Sequence, residues 1–217
     1  GYIKKVKKGF EKAVQLAPED TFYRRELIRF HLNAPGFLGG DLDEALKHAN
    51  TLTKQNHLLG TSTKLHVYGQ MKDKTNFKKV LKVLTDDYSD EPEMYYQVGL
   101  YYQNNEQYDV AINHYRNAVA MKTKNTEQEQ AKYRAHFNIG HISTITEKNL
   151  QEAEKSTTLY LKEAPVAKHM PDKSLARFQL ANLAEISGHK EKAIGLYKQL
   201  LAGAATAKLK KDAKDRL

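Results

Sequence analysis

The chain has 217 residues, 40% hydrophobic and 28% charged, with 35 Lys and Arg against 26 Asp and Glu, a net charge of +9, and no Cys or Trp. That length is ample for a continuous core. The lack of Cys excludes a disulfide scaffold and thiolate metal sites but leaves the compartment open, and there is no run of about 18 apolar residues to span a membrane.

In chain order, residues 1–17 read as a helix with Val6, Phe10 and Ala13 on one face, ended by Leu16-Ala17-Pro18. It has the character of the second helix of a hairpin without its first, so the chain is expected to begin inside a repeat, with any leader or earlier repeat outside it. Residues 20–32 read as the following helix, lacking a small residue at its crossing point. The loop Asn33-Ala34-Pro35-Gly36-Phe37-Leu38-Gly39-Gly40 forbids helix continuation, and Asp41 with Glu44 three positions on suits the cap of a helix carrying Ala45, Ala49 and Leu52, which completes a hairpin over 20–55. The glycines do not have the spacing of a phosphate-cradling loop, and no strand precedes them, so a plain turn is expected.

Four further hairpins follow, at 58–88, 92–122, 126–164 and 173–202. The second has Tyr95-x2-Val98-Gly99-x2-Tyr102, a break at Asn104-Asn105, then Ala111-x3-Tyr115-x2-Ala118. A small residue recurs where two helices must cross closely, with a large one beside it. The same spine returns as Gly69 with Val80 and Leu84, as Gly140 with Ala153, Thr157 and Tyr160, and as Ala181 with Ala193, Tyr197 and Leu200. The polar lead before Gly140 predicts a first helix extended at its start. Residues 205–217 place Leu209, Ala213 and Leu217 at i, i+4 and i+8 among lysines, a helix fit to close a stack. All five prolines fall at predicted ends or turns.

These residues resemble the tetratricopeptide repeat, whose pattern is large-x2-Leu-Gly-x2-Tyr, then Ala-x3-Phe, then Pro. The loop at 33–41 is similar to a variant in some bacterial tetratricopeptide-like proteins, where it lengthens one turn between helices. The resemblance implies an all-α fold, a right-handed α-α superhelix of about five hairpins with a C-terminal capping helix, forming one domain over 1–217. It also implies a scaffold for protein–protein interaction, with the first helix of each hairpin lining a concave groove.

On that pattern the groove is expected at His66, Tyr96, Gln103, Asn104, Arg134, Phe137, Asn138, His141, Phe178 and Asn182, aromatic at its base and amide-rich at its edges, suited to an extended peptide. The opposing expectation is that Tyr96, Phe137 and Phe178 are buried against neighbouring helices or the closing tail. The carboxylate clamp of chaperone-binding family members needs a groove Lys, and the matching positions here are Tyr96 with Leu100 and Phe137 with His141.

No catalysis is expected. The nine His residues are scattered, His136 and His141 fall on different helix faces, and there is no His-Glu-x2-His, Cys nucleophile or Gly-x-Ser-x-Gly elbow. Acids such as Glu152 and Glu154 look solvated. No cofactor or metal is implied. The rival expectation is a basic surface for nucleic acid, anionic lipid or an acidic protein. Against a nucleic-acid track, the lysines gather at the two ends (Lys4, Lys5, Lys7, Lys8 and Lys208, Lys210, Lys211, Lys214) and not along the aromatic positions.

Overall fold

The computed structural model describes residues 1–167, 169–203 and 205–217. Its described residues form twelve α-helices and one short 3-10 turn, with no strand. They make up two compact units, Gly1–Ser89 and Asp90–Leu217.

The first unit contains α1 (Tyr2–Leu16), α2 (Thr21–Asn33), α3 (Leu42–Gln55), α4 (His57–Gln70) and α5 (Lys74–Asp87), each packed on the one before it. Side-chain caps start four of them: Asp20 accepts from Phe22 N, Asn56 from Leu59 N, Asp73 from Asn76 N, and Asp41 from both Asp43 N and Glu44 N. The reciprocal half of a capping box is not made, because the Glu44 carboxylate reaches Lys47 instead. Ile28, Ala45, Ala49, Leu52 and Val67 form the core.

In this unit the crossing is made by a glycine that the repeat pattern does not single out. A Cβ on Gly60 of α4 would lie 2.2 Å from the backbone of Thr53 in α3, whereas Gly69 is only half-buried. The α2 helix, without a small residue, buries the polar side chains of Arg24 and His31 beside Leu27 and Ile28.

The second unit contains α6 (Pro92–Asn104), α7 (Tyr108–Ala120), α8 (Thr126–Thr146), α9 (Leu150–Glu163), α10 (Lys173–Ile186), α11 (Lys190–Ala202) and α12 (Ala207–Lys214). Successive helices pack on one another, and α8 also packs on α6 and α10 on α8, so the first helices of the hairpins form a row of their own. This is the consecutive packing of a helical solenoid. At 21 residues α8 is the long first helix that the polar lead predicts.

Glycine sets how closely the rows approach. A Cβ on Gly99 would meet the Tyr115 ring at 2.7 Å, and one on Gly140 would lie 2.0 Å from Gln179 Nε2 and 2.2 Å from Thr157 Oγ1. Those two atoms are themselves hydrogen-bonded, 2.9 Å apart. The absent side chain of Gly140 therefore makes room for a polar link between neighbouring hairpins.

Two expectations are corrected. Leu217 does not continue the packed edge of the tail: α12 ends at Lys214, so Leu209 and Ala213 are buried while Leu217 is 52% exposed. Nor are the acids of α9 merely solvated. Arg116 of α7 grips Glu152 with two bonds of 2.9 and 2.6 Å, and Lys192 of α11 pairs with Glu154, so the second helices are linked along their own row. Being half-exposed, each such pair stabilises by at most about 1 kcal/mol.

Candidate functional site

The row α6, α8, α10 places equivalent side chains at equal steps. Three residues before Gly99, Gly140 and Ala181 stand Tyr96, Phe137 and Phe178, one aromatic per first helix. Each leans on a tyrosine of its own hairpin: Tyr96 on Tyr115 with ring centres 6.0 Å apart, Phe137 on Tyr160 at 5.4 Å, and Phe178 on Tyr197 at 5.8 Å. Tilted and edge contacts of this kind fix ring orientation. The three tyrosines are almost wholly buried, and burial raises each hydroxyl's pKa, so they remain protonated at neutral pH.

The tyrosine hydroxyls in turn hold amides. Tyr115 donates to Gln103 Oε1 (2.7 Å) and accepts from Asn138 Nδ2 (2.9 Å), which ties α6 to α8 through α7. Tyr197 lies 2.6 Å from Asn182 Oδ1 and 2.8 Å from Glu185 Oε2. Gln179 donates to the Phe137 carbonyl (3.1 Å) and to Thr157, the residue at the register of Tyr115 one hairpin on. Among the described residues, Gln103 Nε2, Asn138 Oδ1 and Asn182 Nδ2 take no such bond. Each of these three amides is thus held at one end and, among the described residues, makes no hydrogen bond at the other.

These groups converge on a groove of about 590 Å³. Phe137 and Phe178 give its apolar floor, with Leu175 and Leu209. Gln103, Asn138, Gln179 and Asn182 supply amides, and His141 and Thr144 stand on α8. His141 keeps an exposed edge, while the protein around it lowers its pKa by desolvation. One wall is α12, through Thr206, Lys208, Leu209 and Asp212; among the lining residues Lys208 and Asp212 carry the formal charges.

Six of the expected residues, Gln103, Phe137, Asn138, His141, Phe178 and Asn182, therefore meet in one place. Three others in the same unit stand outside it. Arg134 lies over the Tyr96 ring at 4.4 Å and pairs with Glu93 at 2.5 Å, both side chains largely buried, so Tyr96 is covered from above as well as from below. Asn104 is exposed at the end of α6. His66 is half-buried on α4, in the other unit. The residues of α12 lie outside the repeat pattern; their signal in the sequence is the amphipathic spacing of Leu209 and Ala213.

Among the described residues, no three His, Asp or Glu side chains gather to hold an ion. His136, next to Phe137 in α8, is buried, lies 3.2 Å from the Ser156 hydroxyl of α9, and is lowered to a pKa of about 4 by desolvation and Lys132. Among the described residues, no helix is long and apolar enough to cross a membrane.

Residues 92–125, the α6–α7 hairpin with the turn after it, match the tetratricopeptide repeat family. A crystal structure of BtubC (BKLC) from P. vanneervenii has a similar fold, with a TM-score of 0.51 at 16% identity, over 91% of this chain and 87% of that one. No curated protein sequence matches the chain. One hairpin of the chain thus matches the tetratricopeptide repeat, and the chain has an all-helical fold whose consecutive packing is that of a helical solenoid. Repeats of this family generally mediate protein–protein interaction and are generally non-catalytic.

Proposed function

We propose that the chain is a non-catalytic scaffold that takes an extended peptide segment of a protein partner into the groove of Asp90–Leu217. The observation that carries this reading is the pairing of two aromatic faces, Phe137 and Phe178, with amides held at one end and making no bond to a described residue at the other. An extended peptide offers N–H and C=O groups in alternation, which amides can both donate to and accept from, and the rings give contact area at little entropic cost. Because the amides are already fixed by Tyr115 and Tyr197, little ordering is required on binding.

Selection of displayed peptides on the intact chain, followed by fluorescence anisotropy, tests it. Phe137→Ala with Phe178→Ala should weaken the selected peptides at least about tenfold, with the helical signal retained. Unchanged affinity would rule the groove out as the binding surface.

A second reading, a basic surface for nucleic acid, anionic lipid or an acidic protein, draws on uneven charge. Gly1–Ser89 holds 16 Lys and Arg against 10 Asp and Glu. It predicts retention on heparin that falls steeply with salt and is indifferent to the two Phe substitutions.

A further inference from the structure

The α2–α3 crossing buries a cluster of basic side chains, one of which can only donate. Arg24 gives Nε to Gln55 Oε1 (3.0 Å) and Nη2 to the Pro18 carbonyl (2.8 Å), and so joins the α1–α2 turn to the end of α3. Its third contact, Nη1 to His48 Nδ1 at 3.4 Å, fixes the tautomer of that ring. A guanidinium has no acceptor, so His48 Nδ1 carries the lone pair and Nε2 the proton. Nε2 lies 4.0 Å from the Glu44 carboxylate, and the ring keeps an edge in solvent.

One face of His48 lies against a second histidine. The His31 ring stacks on it with centres 6.3 Å apart and planes 24° apart; it is buried, and its Nδ1 has no hydrogen-bond partner among the described residues. An imidazole so placed is held neutral. A proton on His48 turns Nδ1 from acceptor into donor, so the Arg24 bond is lost and two cations face each other across the same 3.4 Å. A proton on His31 adds a third cation at stacking distance.

The other charges acting on the two rings come from α1 (Lys7, Glu11), from Asp41 and from α3 (Glu44, Lys47). The acids have partners of their own: Asp41 caps α3 through Asp43 N and Glu44 N, and Glu44 reaches Lys47. The α4 helix joins this core through apolar Val67. Burial is the largest influence on both rings and lowers the pKa of each, followed by Lys7 for His31 and by Arg24 for His48. What the cluster holds in place is lightly packed. α1 has no buried residue, and its Lys7, which bonds the Gly39 carbonyl (3.2 Å), is repelled by a protonated His31.

We propose that the α2–α3 crossing is a proton-operated clasp: uptake of protons by His48 and His31 in mild acid disengages Arg24 and frees α1 together with the turn at Pro18. Each histidine is neutral when folded and has an ordinary value near 6.5 when unfolded. Its contribution is therefore full above that pH and is lost as pH falls below it.

Amide hydrogen exchange of the intact chain, followed by NMR and corrected for the intrinsic effect of pH, tests the clasp. Protection in α1 and the first turns of α2 should fall between about pH 7.5 and pH 5.5, by up to about tenfold for each histidine that stays neutral when folded. His48→Gln keeps an oxygen that accepts from Arg24 but does not titrate, so it should lessen that fall; circular dichroism at neutral pH checks its fold. The imidazole nitrogen spectrum of the wild type needs no substitution, and should show His48 protonated on Nε2 and both rings titrating below 6.5. Protection in α1 and α2 that is indifferent to pH, a fall that His48→Gln leaves unchanged, or a neutral His48 protonated on Nδ1 would overturn the clasp.

Discussion

The α8–α9 hairpin and the α2–α3 hairpin bring two helices together by opposite means. In the first, Gly140 removes a side chain so that Thr157 and Gln179 can bond across the crossing. In the second, α2 brings no small residue to meet Ala45 and Ala49 of α3, and it buries a guanidinium: Arg24 donates to Gln55 Oε1 (3.0 Å) and to the Pro18 carbonyl (2.8 Å) and lies 3.4 Å from His48 Nδ1. The α8–α9 crossing depends on the absence of a side chain at Gly140, the α2–α3 crossing on keeping the donors of a buried Arg24 satisfied.

The sharpest way to break this contrast is to fill the tight crossing. Gly140→Ala should cost about 2–4 kcal/mol in chemical denaturation, since its Cβ has no free space and the Gln179–Thr157 bond must give way. Gly195→Ala is the internal control: it lies on an exposed stretch of α11 with nothing within 4 Å of the added atom, so it should raise stability by up to about 1 kcal/mol. Equal effects at the two positions would refute the close approach.

The α2–α3 crossing is expected to fail differently. Arg24→Met keeps much of the volume and removes the charge-assisted bonds, and should cost about 2–3 kcal/mol, measured in the same way. Acid provides a second probe, on the tight side. His136 has a folded pKa of about 4 against an ordinary 6.5, so between those values the unfolded chain binds more protons than the folded one. Its contribution is therefore fully present above about pH 6.5 and is lost as pH falls towards 4, up to about 3 kcal/mol in all. His136→Gln should flatten that part of the stability curve; an unchanged slope would place the loss elsewhere.

The smallest expected effect lies in the turns. Lys72, Glu106 and Gly188 all have positive φ, at 58°, 58° and 80°, in the turns after α4, α6 and α10. Only the last is glycine, so Glu106→Gly should stabilise by up to about 1 kcal/mol in thermal melts, relieving a left-handed side chain.

The same contrast explains what was legible in the sequence. Gly99, Gly140 and Ala181 could be found because a tight crossing tolerates only small residues, and the groove positions Phe137, Asn138, His141, Phe178 and Asn182 follow from them by counting along a helix. The cover over Tyr96 could not, since Arg134 and Glu93 come from helices 41 residues apart and no spacing rule joins them. Arg24 reads as a surface residue until its three partners are seen. The wall of α12 shows as an amphipathic edge, but which residues it turns toward the groove depends on packing against α10 and α11.

The most direct measurement is a backbone amide NMR titration of the intact chain with a selected peptide. Binding in the groove predicts shift changes concentrated at Phe137, Asn138, His141, Phe178, Asn182 and Lys208, on α8, α10 and α12. Changes confined to the outer row of α7, α9 and α11, or to Gly1–Ser89, would contradict it.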